Sequence, residues 1–333
     1  MKKRVIVLIL CIMFAISGLV ACNSNETGKG LDTEVRSENE SKTDTKDTSS
    51  EKDTTSGGEV EIEKESESDK APETEKEPEN GEAPITGYTF ERGVLTIHDD
   101  TGIAAFHKAF PKDEDKEECK SVIIKDGVTS IGGRAFANCT KLRSITIPDS
   151  VLVIGDKAFS NCTSLTSIDL PDGLISIGKS AFELCENLTN ITIPDGIYEI
   201  NEYTFLACKR LKSITLPDSL IEIGGFAFCD CEKLQGVELP EGILTIERGT
   251  FLSCNSITNI TIPESVTLVD WEAFGNCESL TSITCLGENT ELALEAFSGC
   301  DNLTMFYGKP GSQVEAFVNE FGEYNGYTFI SIE

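Results

Sequence analysis

A phenylalanine returns every 23 residues from Phe136 to Phe297, and no insertion or deletion interrupts the period. A cysteine follows each phenylalanine by three residues, and a leucine or isoleucine follows each cysteine by three more. The columns are Phe136, Phe159, Phe182, Phe205, Phe228, Phe251, Phe274 and Phe297; Cys139, Cys162, Cys185, Cys208, Cys231, Cys254, Cys277 and Cys300; and Leu142, Leu165, Leu188, Leu211, Leu234, Ile257, Leu280 and Leu303. Such a repeat predicts a solenoid, because one unit cannot bury its apolar side without stacking on its neighbours.

One unit, beginning at Leu165, shows the pattern of a short two-walled coil. Leu165, Ile168 and Leu170 alternate with polar residues, which predicts a strand with one buried face. A proline without an N–H group ends this strand, and apolar residues return on the opposite wall. We expect Gly178 to adopt a left-handed conformation at the next corner. Phe182 then lies in a single helical turn and fills the coil.

The unit pattern LxxIxIPxxVxxIGxxAFxxC resembles the BspA-like leucine-rich repeat, also called the Treponema-type repeat, over eight consecutive units. The resemblance implies a β-rich leucine-rich-repeat solenoid with parallel strands and short helical turns across residues 131–310. It also implies an adhesin-like head that binds proteins or glycans outside the cell, although the fold alone hosts many binding roles.

Both ends of the repeat region carry sequences that differ from the repeat, as solenoid caps require. Residues 86–130 predict an N-terminal cap with two short strands joined around Gly93, followed by a degenerate first repeat with Val122 and Ile124 at strand positions. Residues 311–333 predict a C-terminal cap, with a helix whose capping box is formed by Ser312 and Glu315, and a final strand.

The first 22 residues read as a signal segment, with a basic start, an apolar run and a small-residue cleavage site. The sequence Leu-Val-Ala-Cys ending at Cys22 resembles the bacterial lipobox, which implies lipid attachment to that cysteine and a location on the outer face of the membrane. An ordinary secretory signal with an incidental cysteine is the alternative. Residues 23–85 carry 20 acidic and 8 basic residues and few apolar ones, which predicts a disordered linker.

The cysteine column invites a metal or redox interpretation, but its geometry argues against both. Equivalent positions on adjacent rungs of a parallel sheet lie about 4.8 Å apart and point the same way, whereas a disulfide needs Cβ atoms about 3.8 Å apart. We therefore expect buried free thiols that pack beside phenylalanine, and no metal or cofactor. Cys229 lies outside the column, and we expect it to be the most exposed thiol.

Two surfaces are candidates for binding. The first is a polar row on the first wall, formed by Thr146, Asp169, Thr192, Thr215, Glu238, Thr261 and Thr284. This row offers regularly spaced hydrogen-bonding groups for an extended polymer or peptide, but the strand propensity of threonine also accounts for it.

The second candidate surface is apolar. It comprises Leu152, Ile175, Tyr198, Ile221 and Leu244, with Tyr203 and Phe226 at the next corner. A stripe of this kind marks an interface if it is exposed, and the alternative is that these side chains tuck partly into the wall. Trp271 also stands in a polar column, where we expect Leu294 and the C-terminal helix to cover it.

Several classes of function find little support in the sequence. His98 and His107 are the only histidines, and no nucleophile–base pair or glycine-rich phosphate loop occurs, so we expect no enzyme. The net charge of -29 argues against nucleic acid as a partner. An acidic column after the prolines (Asp126, Asp149, Asp172, Asp195, Asp218, Glu241 and Glu264) could attract calcium, although turn propensity explains it as well.

The sequence therefore predicts a bacterial cell-surface lipoprotein whose head binds an extracellular protein or glycan. An accessory binder for polysaccharide or peptide nutrients and a structural envelope spacer are the alternatives. Of the two surfaces, we favour the wall with Tyr198, Tyr203 and Phe226, because aromatic residues anchor protein interfaces more often than threonines do. Nothing in the repeat specifies an oligomeric state.

Overall fold

A computed structural model of the chain describes residues 87–112 and 116–332. The signal segment, Cys22 and the acidic linker lie outside the described residues. Within the described ranges, no helix combines the length and the apolar content that a bilayer crossing requires.

The N-terminal cap begins with an antiparallel hairpin of β1 (Tyr88–Glu91) and β2 (Val94–Ile97), joined as predicted around Gly93. Gly93 has a φ of +83°, a conformation that side chains disfavour. Helix α1 (Gly102–Ala109) follows and buries Phe106 against the ring of Phe90 at 5.8 Å. This cap covers the first end of the core, since β2 pairs in parallel with the first strand of the repeats.

The repeats form a solenoid with two walls of short parallel strands, as the 23-residue period predicts. Each unit makes one rung, and equivalent residues of adjacent rungs pair in register. The first wall, which we call the threonine wall, contains β3 (Ser121–Ile124), β5 (Ser144–Thr146), β8 (Asn190–Thr192), β10 (Ser213–Thr215), β13 (Asn259–Ile262), β15 (Ser282–Cys285) and β17 (Met305–Gly308). The second wall contains β4 (Ser130–Ile131), β6 (Val153–Ile154), β7 (Ser176–Ile177), β9 (Glu199–Ile200), β11 (Glu222–Ile223), β12 (Thr245–Ile246), β14 (Leu268–Val269) and β16 (Glu291–Leu292).

The phenylalanine column is the centre of the core. From Phe159 to Phe274, neighbouring rings stack with centroids 5.3–5.4 Å apart and planes within 9° of parallel. From Phe136 to Phe274, the amide of each phenylalanine also donates to a carbonyl of the next rung, as from Phe205 to Ala227 at 2.8 Å. Adjacent rungs therefore share both ring contacts and backbone bonds, which explains why no insertion is tolerated.

The corner after the second wall differs from the prediction at Gly178, which does not adopt a left-handed conformation. Two other residues of that unit do, Ser180 with a φ of +54° and Leu184 with a φ of +60°. Gly178 is needed for a different reason: a Cβ there would lie 2.5 Å from the backbone nitrogen of Asp156 on the preceding rung. The glycine permits close approach of two rungs and does not supply the turn.

The threonine wall is interrupted at two rungs, and one of them is the unit beginning at Leu165. Residues 165–170 and 234–239 form no strand, so the predicted strand from Leu165 to Leu170 is wrong. The predicted burial still holds at Ile168, which is 5% exposed. Asp169 and Glu238 occupy the exposed position of these rungs, where paired rungs carry threonine, and acidic residues are depleted in strands.

The C-terminal cap contains helix α2 (Gln313–Asn325) and strand β18 (Thr328–Ser331), which pairs in parallel with β17. The Ser312 hydroxyl accepts a hydrogen bond from the Glu315 amide at 3.3 Å, as the capping-box pattern predicts. The Glu315 carboxylate accepts from the amide of Gly311 at 2.6 Å, one residue before the expected donor. Helix α2 buries Val314, Phe317 and Val318 against the last rungs.

Candidate functional site

The cysteine column is a buried ladder of thiol hydrogen bonds. The thiols of Cys162, Cys185, Cys208, Cys231, Cys254, Cys277 and Cys300 each donate to the carbonyl of the phenylalanine 26 residues earlier, at 2.9–3.3 Å. Burial raises the pKa of the Cys185 thiol to about 12. Every cysteine that the structure describes is free and buried, as predicted for those of the column. A thiol held neutral in this way is a poor nucleophile and a poor metal ligand.

Cys229 contradicts the prediction that it is the most exposed thiol. Its side chain is 6% exposed, less than that of Cys300 at 7%, and burial raises its pKa to about 12. Leu206 and Leu252 hold the same position on the preceding and following rungs. A position outside the cysteine column is therefore not a sign of exposure.

The two histidines make local contacts in the N-terminal cap. His98 lies 3.3 Å from the hydroxyl of Thr89, and His107 lies 2.7 Å from the carbonyl oxygen of Ala135. Across residues 87–112 and 116–332, no group of three or more His, Cys, Asp or Glu side chains is arranged to hold a metal ion.

The structure places the five threonines of the first candidate surface on the threonine wall, with Thr146, Thr192, Thr215 and Thr261 exposed and Thr284 half-buried. Thr192 and Thr215 are direct partners on β8 and β10. Thr146 and Thr261 are each separated from that pair by one of the interrupted rungs. The row is therefore not a continuous sheet surface but three sheet segments with two gaps.

The apolar stripe of the second wall is accessible. Its five residues lie on five successive rungs: Leu152, Ile175, Tyr198, Ile221 and Leu244. Their side chains are between 38% and 60% exposed. Ile221 leans over Gly242 of the next rung, where a Cβ would lie 3.5 Å from its Cγ2. The atom closest to that Cβ would be the carbonyl oxygen of Leu220 at 2.5 Å, so Gly242 accommodates the backbone of the preceding rung and not the stripe.

A second exposed feature continues at the corner beside this wall, and we call it the aromatic ladder: Tyr203, Phe226, Arg248 and Trp271. The rings of Tyr203 and Phe226 stack at 5.5 Å with planes 4° apart. The Arg248 guanidinium lies 5.8 Å from the Phe226 centroid and 4.1 Å from the Trp271 centroid. Tyr203 and Trp271 are 38% and 40% exposed.

Trp271 is therefore not covered in the way predicted. Arg248 lies over its ring, and Leu294 is itself 56% exposed. The sequence reasoning missed Arg248, because it stands one residue before the column of Tyr203 and Phe226. Gly249 fills the column position instead, and a Cβ there would collide with the Phe226 ring. The sequence signal that could have indicated this contact is Arg248 directly before Gly249, at the corner where earlier rungs carry an aromatic residue.

These features define a class, a leucine-rich-repeat solenoid with a buried phenylalanine and cysteine core and exposed side chains on both walls. The family model described as the BspA type leucine rich repeat region matches six copies over residues 109–205 and 175–304. The match covers more than half of the chain, so the chain belongs to this family. No curated protein matches the sequence.

Several solved structures are similar to this chain. A leucine rich cell surface protein from Faecalibacterium prausnitzii is 30% identical with a TM-score of 0.43, over 61% of this chain and 64% of that protein, which is less than two thirds of its length. The leucine rich repeat protein of T. pallidum is 24% identical with a TM-score of 0.47, over 75% and 98%. The pneumococcal vaccine antigen PcpA is 19% identical with a TM-score of 0.38, over 65% and 68%.

Proposed function

We propose that this chain is a lipid-anchored binding protein on the outer face of a bacterial cell membrane, and that its repeat head binds an extracellular protein. In this proposal residues 1–22 are a signal peptide, Cys22 carries the lipid, and residues 23–85 are an extended acidic linker. The sequence around Cys22 supports the anchor. Metabolic labelling with a fatty-acid analogue should mark the wild type and not Cys22→Ala, and equal labelling of both would refute the anchor.

The exposed apolar stripe is the observation that carries the binding proposal. The five rungs that carry the stripe extend over about 20 Å at the spacing of parallel strands, and their strands belong to three hydrogen-bonded segments, with breaks between β7 and β9 and between β11 and β12. Large exposed apolar patches on monomeric proteins usually mark interaction sites. No enzymatic step is needed for this role.

The aromatic ladder supports a protein as the partner. Tyrosine, tryptophan and arginine are the residues most enriched among those that dominate the energy of protein interfaces, and the ladder presents one of each. Tyr203 and Phe226 have φ angles of +61° and +58°, a left-handed conformation that costs a non-glycine residue about 1–2 kcal/mol. Ser180 and Gly249 occupy the same column on the flanking rungs, so the fold does not require aromatic residues here.

An array of extracellular matrix proteins and glycans, probed with the full-length chain in mild detergent, tests the proposal. We expect binding to a protein, and we expect Tyr203→Ser with Phe226→Ser to abolish it while the chain stays folded and its melting temperature falls by only a few degrees. Serine is a suitable replacement because Ser180 already adopts the same left-handed conformation.

Thr192→Ala with Thr215→Ala is the matched control on the threonine wall, and it should bind as the wild type does. If only the threonine variant loses binding, or if the array returns glycans alone, the assignment to the second wall is refuted.

A further inference from the structure

The two interruptions of the threonine wall coincide with the two acidic residues of its exposed row. From Ser167 to Leu170, and from Gly236 to Leu239, no backbone hydrogen bond joins the rung to either neighbour in the described part of the chain. Backbone N–H and C=O groups that lack a protein partner have to bond to water or to a ligand. Each interruption therefore presents free donors and acceptors beside a carboxylate.

A groove lies at each interruption. The first has a volume of about 500 Å³ and contains Asp169 and Asp172, and the second has a volume of about 690 Å³ and contains Glu238 and Glu241. Thr215 lines both grooves, so they adjoin along the wall. These volumes lie within the range of about 300–1,000 Å³ that is typical of ligand sites.

All the charged side chains that line the two grooves are acidic. Their linings contain four carboxylates and no lysine, arginine or histidine. None of these four carboxylates forms an ion pair with another residue that the structure describes. Elsewhere the chain pairs acids with lysines of the adjacent rung, as between Glu202 and Lys179 at 3.0 Å. The surface is therefore uniformly acidic, and a ligand complementary to it in charge is cationic.

We propose that the two grooves together bind an extended peptide segment with basic residues at positions i and i+4. Asp169 and Glu238 lie three rungs apart, which corresponds to about 14 Å along the wall. An extended peptide rises about 3.3 Å per residue, so four residues span about 13 Å, and side chains i and i+4 point the same way. The two carboxylates hold the basic side chains, and the free backbone groups bond to the peptide between them.

This site is separate from the aromatic ladder and from the protein partner proposed above. The probe is a fluorescent seven-residue peptide of threonines with lysines at the second and sixth positions, titrated by polarisation into the full-length chain in mild detergent. We expect saturable binding that weakens with added salt. Asp169→Asn with Glu238→Gln should weaken binding by about tenfold at an unchanged melting temperature, and Tyr203→Ser with Phe226→Ser should leave it unchanged.

Two controls separate a positioned site from general attraction to an acidic protein. Glu222→Gln with Glu291→Gln also removes two negative charges, but from exposed positions of the second wall, and should not change the affinity for the peptide. A peptide with lysines at the second and fifth positions should bind several-fold more weakly, because its side chains point to opposite faces. Equal losses in both variants, equal affinity for both peptides, or binding of neutral oligosaccharides in place of the peptide would overturn the proposal.

Discussion

Phe205→Ala tests whether the phenylalanine column couples the rungs. Phe205 is fully buried and stacks on Phe182 and Phe228, with both centroid distances 5.4 Å. Removing a buried phenylalanine costs about 3–5 kcal/mol, and each ring pair contributes about 0.5–1.5 kcal/mol. Because two ring contacts are lost together, we expect a loss near the upper end of the first range, about 5 kcal/mol in the free energy of unfolding.

Urea denaturation measures that loss, and hydrogen exchange measures where it acts. We expect faster exchange across the three units from Phe182 to Phe228, because adjacent rungs share the ring contacts and the backbone bonds. Phe226→Ala is the matched control, since its ring is only partly buried and stacks on one aromatic ring, and it should cost about 1 kcal/mol. Faster exchange confined to the unit of Phe205, or a loss no larger than that of the control, would refute the coupling.

Three further predictions follow from local contacts. Gly249→Ala should displace the Phe226 ring and lower the melting temperature, because the added Cβ meets that ring and the φ of +63° disfavours a side chain; an unchanged melting temperature and an unchanged ring position in a crystal structure would contradict it. A thiol reagent should modify neither Cys208 nor any other cysteine of the repeats before the chain unfolds, and rapid labelling of the native head would show that the burial is wrong. Burial, and then the nearby carboxylate of Glu222, raise the pKa of Glu199 above 4.5. The folded state thus keeps the proton of the Glu199 carboxyl group to higher pH than the unfolded state, and stability falls as the pH rises above 4.5. Glu199→Gln should therefore raise the melting temperature at about pH 7 and not at about pH 4. The reverse pattern would contradict the sign of the pKa shift.

The features that depend on periodicity could be predicted from the sequence. The phenylalanine column identifies the solenoid, because only stacked units bury a residue that recurs at a fixed step. The buried cysteines follow from the same step. These predictions succeed because the same contact is repeated at every rung, so each unit confirms the others.

The features that depend on a single residue could not be predicted in the same way. The strand ladder ends at the rung of Asp169, where the repeat pattern alone predicts that it continues, and Cys229 is buried although it lies outside the cysteine column. Arg248 lies outside the column of Tyr203 and Phe226 and contacts the ring of Trp271. The 23-residue period does not predict the direction of its side chain. In each case a residue departs from the repeat, and the candidate sites lie where such departures occur.

The most direct test of the binding surface is hydrogen exchange of the chain alone and bound to the protein that the array identifies. We predict slower exchange on binding in the segments from Tyr198 to Tyr203 and from Ile221 to Phe226, which carry the stripe and the aromatic ladder. The strands β8 and β10 of the threonine wall should exchange at the same rate in both states. Protection of β8 and β10, with no change in the segments that carry Tyr203 and Phe226, would contradict the account.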